Sequence, residues 1–235
     1  FIKERISKYS SIKTINEHLH ICCTSEDINN IAYAIMILES RYCLYKQANS
    51  LNKKIKSLAK KYKNISMLSH THGQPASPTT LGKEIMNFYK RIELQLNDLM
   101  KITIKGKFNG ATGNYSAHKV TYPKVNWPNK TKAFLKSLNI EINTHTTQIE
   151  PHDYIADICY KINHINSILI GLSQDFWTYI SKNYFIQKNI KGEIGSSTMP
   201  HKINPINFEN AEGNLGMSNA LTQFFSHKLT ISRLQ

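Results

Sequence analysis

The chain has 235 residues, of which 40% are hydrophobic and 20% charged, the usual composition of a globular protein rather than of a disordered one. Its longest apolar run, residues 31–38, is too short to cross a bilayer, and the charged residues at the start lead into no apolar segment of the kind that signal peptides contain. The cysteines have neither zinc-site spacing nor a disulfide framework, which predicts a reducing compartment, the cytoplasm: Cys22, Cys23, Cys43 and Cys159.

The net charge is +14, from 30 Lys and Arg residues against 16 Asp and Glu residues. Such an excess is typical of proteins that bind an anionic partner, such as nucleic acid, a membrane surface or a phosphorylated or carboxylated metabolite. It is also typical of a chain whose whole composition favours Lys, Asn and Ile. The basic residues are spread along the sequence with no dense arginine-rich block, so charge alone does not distinguish these explanations.

The first predicted element is one long helix. From Ile28 to Tyr62, apolar residues recur at steps of three or four, which places them on a single stripe along roughly nine or ten helical turns. Thr24 and Asp27, just before the stripe, form a candidate capping pair. Only neighbouring helices can cover so long a stripe, which indicates a helical bundle or an oligomer.

Four further helices are predicted, at about 77–99, 130–138, 151–179 and 207–229. Ser77 and Pro78 are placed as the cap and the first turn of the first of these, and a glycine-rich stretch at 106–113 follows it. No alternating strand pattern extends beyond a few residues. The predicted fold class is therefore all-α, with long helices joined by polar loops.

Polar loops between long helices are the expected location of a site. The loop at 18–27 places Thr24 and Ser25 at a helix N-terminus, where hydroxyl and N–H groups favour an anion; a plain capping motif explains the same residues. The loop at 146–153 contains Gln148, whose amide suits a polar ligand edge. Its acidic residues serve equally well as first-turn charges of the next helix.

Two other loops have more specific compositions. The loop at 69–76 contains Thr71 and His72, which suit substrate binding and proton transfer, although a solvated polar loop is the alternative. It lacks the additional ligands that a metal site requires. The loop at 192–205 combines three hydroxyl side chains, a lysine and an asparagine between glycines and prolines, a set of groups that can bind a carboxylate.

These loops carry a family resemblance. The segment G-S-S-T-M-P-H-K-I-N-P at 195–205 resembles the signature loop of the fumarase/aspartase superfamily, whose members eliminate fumarate from succinyl compounds. The form M-P-H-K-x-N-P resembles the adenylosuccinate lyase branch, because fumarases and aspartases usually have Gly, and argininosuccinate lyases Gln, at the position of His201. The segments C-T-S-E-D-I-N-N, S-H-T-H-G-Q-P-A and T-T-Q-I-E-P-H-D resemble the same branch.

The resemblance implies the central helical domain of a longer lyase at residues 1–235, with a possible domain boundary near 1–20 and with the family's N- and C-terminal regions absent. It implies a long-helix bundle completed by oligomerisation, a homotetramer whose active sites are shared between subunits. The implied reaction eliminates fumarate from adenylosuccinate, giving AMP, and from the succinyl-aminoimidazole-carboxamide ribotide of purine nucleotide biosynthesis. Neither a metal nor an organic cofactor is expected, and neither nucleic acid nor a membrane is an expected partner.

The resemblance also implies residue roles. Ser196 is the expected base and His72 the expected acid, with the Glu209 carboxylate favouring the protonated imidazole. Chemistry alone makes His72 an equally sensible base, so the reversed assignment stays open. A basic α-helical nucleic-acid-binding protein and an inactive helical scaffold are the competing functions, and the former leaves the serine-containing loop without a role. The expected substrate contacts are His20, Thr24, Ser25, Thr71, Gln148, Ser197, Met199, Lys202 and Asn204.

Overall fold

The computed structural model describes residues 1–9, 15–188, 198–199, 201–232 and 234. In this part of the chain the secondary structure is mainly helical, as the sequence predicts, with two small two-stranded sheets. In chain order the elements are α1 (Ile2–Ile6), α2 (Ser25–Lys61), β1 (Ser66–Thr71), β2 (Gln74–Thr80), α3 (Leu81–Lys101), β3 (Lys105–Gly106), α4 (Ser116–Thr121), α5 (Trp127–Ser137), β4 (Glu141–Ile142), α6 (Asp153–Ser181) and α7 (Ile206–Lys228).

The chain forms two compact units. Unit 1 comprises Phe1–Ser40, Thr103–Tyr154 and Thr230–Gln235, and unit 2 comprises Arg41–Ile102 and Ile155–Leu229. None of the helices in the described part of the chain has the length and apolar character that crossing a membrane requires.

Helix α2 confirms the longest predicted element. It begins at Ser25 and ends at Lys61, close to both ends of the predicted stripe. The predicted capping pair is present, because the Thr24 N–H donates to the Asp27 carboxylate at 2.9 Å. Acidic side chains in the first turn and lysines in the last turn also match the helix dipole.

The predicted start of the next helix is wrong. Residues 66–80 form an antiparallel hairpin of β1 and β2, and α3 begins only at Leu81, where the Thr80 hydroxyl accepts the Lys83 N–H at 3.3 Å. Pro78 therefore lies in a strand rather than in a first helical turn. Both strands of a two-stranded sheet are edges, which tolerate proline, and the following threonines favour extended backbone.

The connection between the hairpin and α3 is tightly packed against the end of α2. The Leu81 N–H donates to the Ile65 carbonyl at 2.9 Å, and the Gly82 N–H donates to the Tyr62 carbonyl at 3.0 Å. A Cβ at Gly82 would overlap the backbone of Ala59 and of the residues after α2. Glycine is thus required by the close approach of the two chain segments.

The core of unit 2 is formed by α3 and the helices that pack beside it. The predicted apolar stripe of α3 is buried: Leu81, Ile85, Phe88, Ile92, Leu96 and Leu99. The Asn52 amide of α2 donates to the Tyr89 carbonyl of α3 at 3.2 Å, and Lys161 of α6 lies 3.2 Å from Asp98 of α3. The Asn166 amide of α6 donates to the Ser218 hydroxyl of α7 at 2.9 Å.

Unit 1 contains the start of α2, the glycine-rich stretch and the short helices. The predicted helix at 130–138 begins earlier, at Trp127, because the Asn126 side chain caps it by accepting the Asn129 N–H at 3.2 Å. Strands β3 and β4 pair in parallel over two residues each. Ile104, Leu135 and Ile140 lie in the apolar core beside them.

Candidate active site

His72 lies at the tip of the β1–β2 hairpin. Thr71 pairs with Gln74 across the last rung, so His72 and Gly73 form a two-residue turn. Both have positive φ, 55° and 74°. Positive φ at both positions is typical of the two-residue turns whose twist matches that of the two strands they join. The His72 ring is exposed and makes no hydrogen bond or ion pair with any described residue, so the hairpin presents a free imidazole.

The same hairpin contacts the segment that precedes the serine-containing loop at 192–205. The ring centroids of His70 and Tyr184 lie 5.9 Å apart, and the Tyr184 hydroxyl is 3.5 Å from the Leu68 carbonyl oxygen. The His70 Nδ1 atom is buried and has no hydrogen-bond partner among the described residues. Unit 2 therefore packs strand β1 of the hairpin against the segment that contains Tyr184.

Both flanks of the serine-containing loop pack on one aromatic ring. Phe176 of α6 stacks on Phe185 before the loop, with centroids 5.2 Å apart, and on Phe208 after it, at 5.5 Å. Ser196 and Ser197 lie outside the described residues. Phe185 and Phe208, which lie on either side of this loop in the sequence, therefore pack against the same ring of unit 2.

The end of this loop places three predicted substrate contacts before α7. The Met199 carbonyl accepts the Lys202 N–H at 3.0 Å, which closes a turn, and the Gln187 amide donates to the Ile203 carbonyl at 2.8 Å. The Lys202 side chain is exposed, and Asn204 is half-buried. The charged group expected to bind a carboxylate is thus accessible.

Glu209 lies in the first turn of α7. It is half-buried, and its N–H donates to the Pro205 carbonyl at 3.3 Å. Within the described part of the chain, no hydrogen bond or ion pair joins Glu209 to His72. The pairing of these two side chains stays a prediction.

Unit 1 contains the remaining expected substrate contacts. His20 is exposed and has φ of 64°, at the turn that leads into α2. Thr24 is half-buried and Ser25 is exposed, both at the N-terminus of α2. The Gln148 side chain is exposed, and its backbone carbonyl accepts from the Lys107 ammonium at 2.5 Å.

The segment with Gln148 is fixed by a buried carboxylate, Glu150. It accepts the Asn143 amide at 3.0 Å and the His152 N–H at 2.6 Å. Burial alone raises the pKa of Glu150, but the hydrogen bonds from His152 and Asn143 outweigh it and lower this pKa below the ordinary value. The sequence suggested only a first-turn acid here, whereas the structure shows an anchor of the loop.

Sequence reasoning missed Lys107, which is fully buried beside Asp27 with an Nζ–carboxylate distance of 3.0 Å. Its only sequence signal was a lysine within a run of glycines, G-K-F-N-G-A-T-G. The sequence likewise predicted for Asp27 only a capping role at the start of α2. Burial of the Cys23 thiol, together with the nearby negative charge of Asp27, raises the pKa of this thiol to about 11.

A family model described as "Lyase" matches residues 1–218 of this sequence. The chain belongs to this family. The matched range includes all four motif loops and is consistent with the fumarase/aspartase resemblance read from them.

Two members of the family align along the whole chain. An adenylosuccinate lyase of Buchnera aphidicola subsp. Schizaphis graminum is 53% identical over 239 residues, which cover 100% of this chain and 52% of that protein. An adenylosuccinate lyase of Escherichia coli K12 is 49% identical over 236 residues, which cover 100% of this chain and 52% of that protein. The chain thus spans about half the length of the curated relatives it matches.

The helical fold of this chain also occurs in solved structures. The crystal structure of 3-carboxy-cis,cis-muconate lactonizing enzyme from Pseudomonas putida matches with a TM-score of 0.74 at 17% identity. The match covers 98% of this chain and 50% of that one. At this identity the likeness concerns the fold alone, and it agrees with the all-α class predicted from the apolar periodicity.

Proposed function

We propose that this chain is the central helical region of a lyase that eliminates fumarate from adenylosuccinate, giving AMP, and from the succinyl-aminoimidazole-carboxamide ribotide. The observation that carries the proposal is the 53% and 49% identity, along the whole chain, to two adenylosuccinate lyases. The loop M-P-H-K-I-N-P, with His201 at the position that differs between superfamily branches, supports the same branch.

The proposed chemistry is a general acid–base elimination. Ser196 removes a proton from the succinyl carbon beside one carboxylate, and that electron pair forms the carbon–carbon double bond of fumarate as the C–N bond breaks. His72 donates a proton to the departing nitrogen. The exposed His72 ring at the hairpin tip supports this role, because a proton donor must reach the substrate without breaking other contacts.

The negative charge that develops on the carboxylate requires hydrogen-bond donors. Lys202 supplies an exposed ammonium on the turn before α7, and Asn204 supplies an amide two residues later. Ser197 and Met199, which precede them in the sequence, are proposed to complete the carboxylate site. Glu209 is the proposed partner of the His72 imidazole. Thr71, next to His72, contacts the substrate on the hairpin side. No metal or organic cofactor is required for this elimination.

The groups of unit 1 bind the rest of the substrate. His20, Thr24 and Ser25 lie around the N-terminus of α2, where N–H groups and the helix dipole favour the anionic parts of a nucleotide. The exposed Gln148 amide adds a donor and an acceptor for a polar ligand edge.

The proposed enzyme is a cytoplasmic homotetramer with shared active sites. Large apolar side chains are exposed on α2 and α7, as expected of helices that pack against other copies: Tyr33, Met36, Tyr42, Leu51, Met217, Leu221 and Phe224. The four cysteines are free thiols, which suits a reducing compartment.

The test is release of fumarate by the full-length enzyme. Adenylosuccinate is added, and fumarate and AMP are quantified separately, because a lyase must form them in equal amounts. A matched sample with argininosuccinate checks the branch assignment. Equimolar fumarate and AMP from adenylosuccinate alone is the expected result, and a stable protein without this activity contradicts the proposal. Deuterium exchange at the succinyl carbon, measured in Ser196→Ala and in His72→Ala, distinguishes the reversed assignment with His72 as base. The variant that lacks the base loses this exchange.

A further inference from the structure

Asp27 and Lys107 form a fully buried ion pair in unit 1. The Lys107 ammonium lies 3.0 Å from the Asp27 carboxylate, and the exposed fraction of each side chain is 0%. Removing two charges from water costs free energy that the pair recovers only with good geometry and further hydrogen bonds. A buried ion pair is therefore weak evidence for a stabilising role, and its other contacts indicate what it does.

The Asp27 carboxylate connects the start of α2 to the glycine-rich stretch. It accepts the Thr24 N–H at 2.9 Å, just before α2. It also accepts the Asn109 N–H at 3.2 Å and the Gly110 N–H at 3.2 Å. The position of Thr24 thus depends on the same carboxylate that holds the glycine-rich stretch.

The Lys107 ammonium connects this stretch to the loop with Gln148. Beyond Asp27, it donates to the Gly110 carbonyl at 2.8 Å and to the Gln148 carbonyl at 2.5 Å. An ammonium has three N–H donors, so these three acceptors satisfy it completely. No simple apolar side chain of similar volume offers donors to both carbonyls.

The backbone of Lys107 is itself fixed by α2. The Lys107 N–H donates to Asn30 Oδ1 at 2.8 Å, and the Asn30 amide donates to the Lys107 carbonyl at 3.0 Å. Asn30 is buried and lies one turn after Asp27 on the same helix. The ammonium is therefore held at a defined distance from α2, as a positioning group requires.

From these contacts we infer that Asp27 and Lys107 are a positioning pair that sets the distance between Thr24 and Gln148. This inference rests on the proposed function, in which both residues contact the substrate. The pair itself touches no substrate and transfers no proton. Without it, the two substrate-binding segments lose their shared anchor, and the substrate must order them on binding. The expected consequence is a raised KM with a smaller change in kcat.

The experiment uses the full-length enzyme with two variants. Lys107→Met leaves the Asp27 charge buried without its partner, which can prevent folding. The double variant Asp27→Asn with Lys107→Met removes both charges, keeps a folded core and still lacks the donors to the Gln148 and Gly110 carbonyls. We expect the double variant to fold but to melt below the wild-type temperature, because two carbonyls lose their donor, and to have a KM for adenylosuccinate raised about tenfold or more.

Asn52→Ala is the matched control. Asn52 is a buried polar residue of the same helix, but its amide donates to the Tyr89 carbonyl in unit 2, and within the described part of the chain it makes no hydrogen bond with a predicted site residue. Its loss lowers the melting temperature and leaves KM unchanged. A double variant with wild-type KM overturns the inference, and so does a KM that rises equally in the Asn52→Ala control.

A second measurement separates this inference from the proposed function. Hydrogen exchange of the amides at 146–150 is compared between the wild-type enzyme and the double variant, with α3 as the internal reference. Faster exchange at 146–150, with α3 unchanged, is expected, and unchanged exchange at 146–150 overturns the positioning role whatever the activity. A wild-type enzyme that releases no fumarate contradicts the proposed function instead, while the exchange result still decides whether the pair positions the loop.

Discussion

The ring of His70 lies against the ring of Tyr184, with centroids 5.9 Å apart and planes inclined by 56°. His70 belongs to β1, two residues before the hairpin turn, and Tyr184 precedes the serine-containing loop. This contact connects the two segments that supply the proposed acid and the proposed base. The two roles can nevertheless be tested separately, because each belongs to a different loop.

Removing either proposed proton-transfer group should abolish turnover. Ser196→Ala and His72→Ala each remove one transfer step, which is worth roughly 10²–10⁴-fold in rate. Because the His72 ring is exposed and makes no hydrogen bond or ion pair with the described residues, its loss should leave the helical circular dichroism unchanged. His164→Ala, an exposed histidine of α6, is the control and should keep wild-type activity. Near-normal turnover in a folded Ser196→Ala or His72→Ala variant contradicts the assignment.

Lys202→Met should weaken the binding of fumarate and of the succinyl substrate more than that of AMP. The exposed ammonium is proposed to bind a carboxylate, and losing a charge-assisted hydrogen bond costs roughly 1.5–3 kcal/mol, about 10- to 100-fold in Kd. Calorimetry with fumarate and with AMP measures the two losses. Lys182→Met, a second exposed lysine of unit 2, controls for the change in net charge. Equal losses for both ligands would show that Lys202 does not select the carboxylate.

Mixed oligomers should recover activity from two inactive variants. If His72 and Ser196 of one active site come from different subunits, a site works whenever both of its donors are intact. After random exchange of equal amounts of His72→Ala and Ser196→Ala subunits, each donor is intact half the time, so activity should approach about a quarter of wild type. Co-expression with two different tags, followed by purification on both, gives the mixed enzyme for the fumarate assay. Inactive mixed oligomers would place both residues of a site on one subunit.

Gly113→Ala should destabilise the protein more than Gly73→Ala. Both glycines have φ of 74°, so alanine adds the same left-handed strain, about 1–2 kcal/mol, at each position. A Cβ at Gly73 meets nothing within 4 Å, whereas a Cβ at Gly113 overlaps the Thr146 carbonyl group. Overpacking of this kind adds about 1–3 kcal/mol. Thermal unfolding of the two variants measures the difference, and equal melting temperatures would rule out this close approach.

The amino-acid sequence by itself determined the long helices. The stripe from Ile28 to Tyr62 and the stripe of α3 are periodic signals between residues three or four positions apart, and the structure confirms both. The motif loops were also visible, because their residue types follow one another directly in the chain. The hairpin at 66–80 was not predicted, because its strands are polar and contain prolines. Its second strand occupies residues that the sequence assigned to the start of α3, which begins only at Leu81.

Only the tertiary structure decided which polar groups meet in the interior. Asp27 and Lys107 are far apart in the sequence, and only its place in a glycine-rich stretch distinguishes Lys107 locally from the many other lysines of a chain with charge +14. The pair forms because folding brings the glycine-rich stretch against α2 and the loop with Gln148, where a buried ammonium must find three acceptors. Helical periodicity is encoded over a few residues, whereas the partners of a buried charge are set by segments that meet only in the folded chain.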